Sequence, residues 1–306
     1  MTSAANDDFR IPVITDEIID RYRQNYDLPP TVAITREMVH QHAELEHRLT
    51  ERLIKSTPDN RTAVWVESYG TLYHDLPWLA AAPSTGVENA DLEFGHFLKL
   101  IPANSTVIEI GSGAGSLSRY LTEHGRPCVA TDITEERGGT RQNDTVEWHA
   151  TDGVHLEEYE DGRQYDVVLS TQVIEHLHPD DVELHLRGAF ELLKPGGSYV
   201  FNTPHVFMGP ADLSRVFAYD RARFMHLKEY THRELAALAR RAGFKRFRAV
   251  YVPPIPIRAK VSFMLHGRWL YTYLTVMERL IEGRRMPKPV LRALLFHCDV
   301  FLVAIK

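Results

Sequence analysis

The segment Val107-Ile108-Glu109-Ile110-Gly111-Ser112-Gly113-Ala114-Gly115 limits what this chain can fold into more than any other. A short apolar, β-branched run enters a turn with glycine at every second position, and Leu117–Glu123 follows with the look of a helix that ends at Gly125. Glycines in such a turn let backbone approach a ligand closely, and the helix beyond it offers N–H groups without internal partners. Dinucleotide-binding folds use a similar strand, glycine turn and helix, so the turn alone does not fix the ligand. The spacing is Gly-x-Gly-x-Gly, one residue shorter than the dinucleotide-binding Gly-x-Gly-x-x-Gly.

Strand-like and helix-like segments alternate beyond this point. Thr106–Ile110, Cys128–Ile133, Val146–His149, Asp166–Ser170 and Ser198–Asn202 read as strands. From about Pro179, Val182, Leu186, Ala189, Phe190 and Leu193 recur on one helical face until Lys194-Pro195-Gly196-Gly197 stops the helix. Thr231 and Glu234 form a capping-box signature ahead of a stripe of Leu235, Leu238, Ala239 and Ala242, with Gly243 placed to end that helix. Arg246–Val252 and Val300–Ile305 supply two more strands, and a helix is expected over Lys260–Ile281 between them. Such alternation predicts an α/β fold with a mostly parallel sheet covered by helices on both faces.

The expected organisation is a helical N-terminal extension or cap over 1–95 and a main domain over 96–306 with a helical insertion at about 253–295. In the extension, prolines at 29, 30, 58, 77 and 83 break helix-like pieces. The clearest piece is about 35–55, where Met38, Leu45, Leu49, Leu53 and Ile54 share a face and His40, His42 and His47 read as surface residues. Trp65, Tyr69, Tyr73 and Trp78 form an aromatic stretch suited to packing on the main domain or lining a pocket.

Charge is unevenly distributed. Residues 1–210 carry 16 Lys/Arg against 34 Asp/Glu, and residues 211–306 carry 19 against 7. The two halves are expected to pair with each other in the main, with the basic C-terminal third a candidate surface for an anionic substrate or membrane headgroups. The insertion is expected to be an amphipathic helix with a basic outer face, from Arg258, Lys260, Arg268, Arg279, Arg284, Arg285, Lys288 and Arg292. Two unclustered cysteines, Cys128 and Cys298, fit neither a disulfide framework nor a zinc site and suit a reducing, cytoplasmic setting. The polar, acidic opening Met1–Asp8 does not read as a secretory leader, and no apolar run reaches the roughly 18 residues a membrane span needs.

Five ordered motifs make the chain resemble the class I S-adenosylmethionine (SAM)-dependent methyltransferases over about 100–250 and the final strand. Glu109, Gly111, Gly113 and Gly115 match the family's first motif, and Asp132 with Ile133 closes the second strand as its ribose-binding acid does. Asp152 and Gly153 match the segment near the adenine amino group. Tyr165–Ser170 followed by Val173-Ile174-Glu175-His176-Leu177 matches the fourth motif, and Leu193–Gly197 the approach to the fifth strand. The resemblance implies a Rossmann-like, seven-stranded, mostly parallel sheet sandwiched by helices. It also implies SAM as cofactor, bound by Glu109, Gly111, Gly113, Gly115, Asp132, Ile133, Asp152, Gly153 and Ser170. A carboxylate such as Asp132 suits a cis-diol because it accepts two hydrogen bonds.

Methyl transfer from a sulfonium is an in-line displacement that needs alignment and exclusion of water. A hydroxyl acceptor also needs a base or a metal. His176, at the carboxyl end of the fourth strand, is the first catalytic candidate and His205, beyond the fifth, the second. Some family members hold a divalent ion with Glu-x-x-Glu-His and a later histidine. Here Gln172 replaces the first carboxylate, while Glu175, His176 and His226 occupy the other places. That departure favours a metal-independent enzyme, with those three as the residues to watch. The leading expectation is methylation of an O or N atom of a small molecule in specialised metabolism. The alternatives are a metal-assisted RNA ribose 2'-O-methyltransferase and a non-catalytic SAM-binding protein.

Overall fold

The computed structural model describes residues 9–81, 89–133, 145–156, 159, 162–261, 263–284 and 286–306. Pro83, Arg285 and the Tyr73 side chain lie outside the described residues. The N-terminal part folds as Asp16–Asn25 (α1), Arg36–Ile54 (α2), Pro58–Asp75 (α3), Ala90–Phe94 (α4) and Phe97–Leu100 (α5). The alternating part runs Val107–Ile110 (β1), Ser116–Glu123 (α6), Cys128–Asp132 (β2), Glu147–Ala150 (β3), Tyr165–Thr171 (β4), Val182–Leu192 (α7), Leu193–Thr203 (β5), His232–Arg241 (α8) and Arg246–Tyr251 (β6). Ile255–Arg258 (α9), Leu265–Gly267 (β7), Arg268–Ile281 (α10), Lys288–Leu294 (α11) and Val300–Ile305 (β8) complete it.

One sheet carries the order β3-β2-β1-β4-β5-β8-β6-β7. Strands β1 to β5 pair in parallel, β8 runs antiparallel to both β5 and β6, and β7 lies antiparallel to β6 at the edge. All seven strands read from the sequence form. The eighth, β7, is a three-residue edge strand inside the insertion, and it shortens the helix expected from Lys260 so that α10 begins at Arg268.

The pleat sets which residue meets which layer. Ile108 and Ile110 point to the face packed by α7, α8 and α10, through Val182, Leu186, Leu235 and Leu274. Val107 packs on the other face with Phe97, Ile101, Leu117 and Leu121. All four β1 residues are buried, as a central strand covered on both sides requires. The capping box at α8 forms as read, with Thr231 N donating to Glu234 Oε2 at 3.0 Å and Glu234 N to Thr231 Oγ1 at 3.1 Å.

Helices α1 to α3 pack through Ile18, Tyr22, Val39, Leu45, Leu49 and Leu53 against the segment after β5, at Leu213, Val216, Phe224 and Met225. Two polar contacts tie α3 to the sheet region. The largely buried Arg61 guanidinium bonds Asp181 at 2.5 Å, ahead of α7, and Thr62 Oγ1 donates to Asp152 at 2.9 Å. His42 corrects the surface reading of the α2 histidines. It is fully buried in a chain in which Trp78 Nε1 donates to Tyr22 OH, Tyr22 OH donates to His42 Nδ1 and His42 Nε2 donates to Glu46.

Candidate active site

A cleft of about 870 Å³ opens at the carboxyl ends of β1, β2 and β4, where open α/β sheets place their ligands. Its floor is Ile110, Gly111, Gly113, Asp132, Ile133, Asp152 and Gly153, and the N-terminal helices roof it with Glu46, Trp65, Tyr69 and Leu72. The glycine turn is held tight. Gly111, at φ +69°, could not carry a Cβ, which would stand 2.5 Å from Val173 Cγ2. Gly113 N donates to Asp132 Oδ2 at 2.7 Å and Ile133 N to Asp132 Oδ1 at 2.8 Å, which fixes the Asp132 carboxylate at the rim of the cleft.

Six of the nine residues expected around the cofactor thus line one cleft: Gly111, Gly113, Asp132, Ile133, Asp152 and Gly153. Asp152 also caps its own turn, accepting from Val154 N, His155 N and His155 Nδ1, which with Thr62 holds it ionised below the usual range despite the opposing effect of burial. The other three stand behind the cleft. Glu109 follows the pleat to the α6 face and accepts from Ser118 Oγ, and burial pushes its carboxyl up to about 7. Gly115, at φ +70°, is the N-cap of α6 and packs on Trp148. Ser170 Oγ bonds Tyr199 OH at 2.6 Å; Tyr199 bonds His185, which donates to Gly153 O. Ser170 therefore supports the Gly153 turn from below.

His176 reaches the cleft, and His205 does not. The reading of His205 as a base is corrected by its surroundings. Its Nε2 donates to Glu278 at 3.0 Å and its Nδ1 accepts from Phe207 N at 3.1 Å, so neither nitrogen is available. Glu278 also accepts from His232 Nδ1, His232 N and Arg233 N, which ties α10 to the first turn of α8.

Around His176 a second arrangement appears. Ligand atoms of Glu175, His176 and His226 all lie within 4.8 Å of one another. Each is oriented by a partner on its far side. His176 Nδ1 donates to Met225 O at 2.9 Å, His226 Nδ1 donates to Glu229 Oε1 at 3.0 Å, and Glu175 Oε2 accepts from Thr203 Oγ1 at 2.8 Å. Glu175 Oε1 is buried with no hydrogen-bond partner among the described residues. Burial pushes the Glu175 carboxyl up to about 7 and the His176 imidazole down to about 3, leaving His176 neutral with Nε2 as its acceptor. Burial opposes a charge on His226 too, but the bond to Glu229 and the nearby Glu175 and Asp212 carboxylates outweigh it and raise that histidine. A carboxyl oxygen lacking a donor, beside two imidazoles with outer partners, has the donor set and outer support of a divalent-cation site. Gln172, at φ +54°, lines the same cleft in the left-handed region that non-glycine residues seldom enter.

Sequence reasoning missed Glu46, Leu72 and Met225 as cleft residues. Glu46 and Leu72 lie on the N-terminal helices outside the motif-bearing segment, and Met225 belongs to the segment after β5 on which those helices pack.

The fold and cleft define a Rossmann-like α/β protein with a ligand site at the carboxyl ends of its strands. The family model described as a methyltransferase domain matches residues 89–247, just over half of the chain, and this protein belongs to the class I SAM-dependent methyltransferases. It is similar to ubiquinone biosynthesis O-methyltransferases. The protein from Hydrogenovibrio crunogenus is 26% identical over 186 residues, 56% of this chain and 75% of that one. The Xanthomonas axonopodis pv. citri protein is 28% identical over 158 residues, 48% of this chain and 65% of its own length. That from Coxiella burnetii is 26% identical over 101 residues, and the match spans 32% of this chain and only 42% of the relative. Among solved structures, 1,6-didemethyltoxoflavin-N1-methyltransferase of Burkholderia thailandensis aligns with a TM-score of 0.45 at 19% identity, covering 82% of this chain and 91% of that one. Phosphoethanolamine N-methyltransferase 2 of Haemonchus contortus aligns at 0.46 and 15%, covering 84% and 60%.

Proposed function

We propose that this methyltransferase acts on a hydroxyl oxygen of a small-molecule acceptor, which it holds beside Glu175, His176 and His226. The observation that carries this reading is the unpartnered Glu175 Oε1 facing His176 and His226. An amine acceptor needs only to be neutral and positioned, whereas a hydroxyl must have its proton weakened, and a cation does that by direct coordination. Gln172 removes one formal charge from the ligand set known in the family. The remaining carboxylate and two imidazoles fit Zn²⁺, Mn²⁺ or Mg²⁺ in decreasing order of donor softness.

The chain's own residues divide the work. Gly111, Gly113, Asp132 and Gly153 hold SAM, which supplies an electrophilic methyl on its sulfonium sulfur. Glu175, His176 and His226 fix the acceptor oxygen, and Met225 O, Glu229 and Thr203 keep those three in place. Trp65, stacked on Tyr69 with centroids 4.6 Å apart, closes the cleft with Leu72 and excludes water. The names of the ubiquinone-pathway relatives support an oxygen acceptor. Transfer of labelled methyl from SAM into small-metabolite, lipid, RNA and protein fractions of host extract tests the proposal. Label in small metabolites, lost on chelation, supports it. Chelator-sensitive label in RNA would reassign the same cluster to a ribose hydroxyl, and chelator-resistant label would remove the cation from the account.

A further inference from the structure

Among the described residues, eleven large hydrophobic side chains stand exposed, and seven of them fall between Ile257 and Val290. Helix α10 accounts for the best-ordered group. Leu270, Leu274 and Ile281 are buried on the sheet, as an amphipathic helix requires. The outer face was expected to be basic. Instead Trp269, Val276 and Leu280 repeat at i, i+7 and i+11 along it, and they are 57%, 47% and 50% exposed. Arg268 and Arg279 flank this stripe on one side, and neither makes an ion pair among the described residues. The helix thus has three sides: one in the core, one apolar and open, and one cationic.

Among the described residues, no Lys or Arg of 253–295 is in an ion pair. Residues 253–295 hold eight Lys/Arg against Glu278 and Glu282. Glu278 is buried against His205 and His232, and Glu282 is held by Arg233. The occupant of the face must therefore bring both hydrocarbon and negative charge. A second copy brings hydrocarbon but the same cations, because a two-fold interface sets one patch against itself. An anionic bilayer brings both, and an apolar stripe beside arginines is the signature of a helix lying in the membrane interface.

We propose that the outer face of α10 binds the surface of an anionic lipid bilayer, with Trp269, Val276 and Leu280 entering the headgroup boundary and Arg268 and Arg279 on lipid phosphates. The contact is peripheral, since no described helix is long and apolar enough to cross a membrane. It is independent of which atom the enzyme methylates.

Flotation of the full chain with vesicles of equal parts phosphatidylglycerol and phosphatidylcholine, and with phosphatidylcholine alone, tests it. Wild type should float with the mixed vesicles and not with phosphatidylcholine. Trp269→Ser/Leu280→Ser and Arg268→Glu/Arg279→Glu should each weaken that binding by roughly tenfold or more. Both pairs are exposed, so melting temperature and SAM affinity should stay at wild-type values and show that the variants are folded. Failure of wild type to float, or equal flotation of the variants, would overturn the proposal. So would a dimer in light scattering that Trp269→Ser/Leu280→Ser dissociates, since it would give the face to a second copy.

Discussion

Glu175 Oε1 and His176 Nε2 stand 4.0 Å apart, and the carboxylate oxygen has no donor in that gap. Neighbouring residues in sequence usually point apart. Here the short turn after β4, pinned by Leu227 N and Lys228 N donating to Glu175 O, aims both side chains at His226. This convergence makes Glu175→Gln an informative variant. It should keep the fold and SAM affinity, lose most Mn²⁺ binding in an electron paramagnetic resonance titration, and lower turnover by about 100-fold. Unchanged Mn²⁺ binding would show that Glu175 is not a ligand.

Asp132→Ala should weaken SAM binding by roughly 2–4 kcal/mol, the worth of two charge-assisted hydrogen bonds to a diol. Calorimetry would read this as a loss of about 30-fold to 1000-fold in affinity with little change in melting temperature. Wild-type affinity in the variant would move the ribose site elsewhere in the cleft.

Glu109 gives a pH signature of its own. Its carboxyl ionises near 4.5 when unfolded and near 7 when buried in the fold. Between those values the folded chain holds the extra proton, so stability falls as pH rises through this window, and the penalty is complete above it. The limit is about 3 kcal/mol. Glu109→Gln removes the charge and should gain stability relative to wild type between about pH 5 and about pH 8 in denaturant titrations, following this linkage. A constant difference across that range would contradict the burial argument.

His205→Gln separates structure from catalysis. With both ring nitrogens committed to Glu278 and Phe207, the substitution should lower the melting temperature by several degrees, for a loss of about 1–3 kcal/mol, and leave kcat within about twofold. A large loss of kcat at unchanged stability would restore His205 to the reaction.

Arg61→Met leaves Asp181 without its largely buried partner, at a cost of about 3 kcal/mol. Hydrogen exchange should quicken in α2 and α3 while β1 and β4 stay protected. Uniform loss of protection would show that the N-terminal helices and the sheet unfold as one unit.

The strands were legible because buried parallel strands leave apolar runs between glycine and proline stops, as Val107–Ile110 and Tyr165–Thr171 do. β7 was not, since Leu265-His266-Gly267 has no alternation and forms only by pairing with β6. Cleft residues at turns and strand ends, such as Gly111 and Asp132, announce themselves by motif. Glu109 and Ser170 share those motifs, yet the pleat turns them away from the cleft. His42 and Glu46 sit four residues apart on a helix whose periodicity alone cannot reveal that Tyr22 covers one and the cleft receives the other. The grouping of Glu175, His176 and His226 was signalled by the resemblance alone, since it depends on the chain near Leu227 and Lys228 folding back onto Glu175, a long-range contact that periodicity does not encode.

The most direct test of the central claim is methyl transfer from labelled SAM into the small-metabolite fraction by wild type before and after chelation, with Mn²⁺ or Zn²⁺ added back. The account predicts alkali-stable methyl ether products, loss of transfer on chelation and recovery with the ion. Transfer that proceeds unchanged in chelator, or a label found on nitrogen, would contradict it.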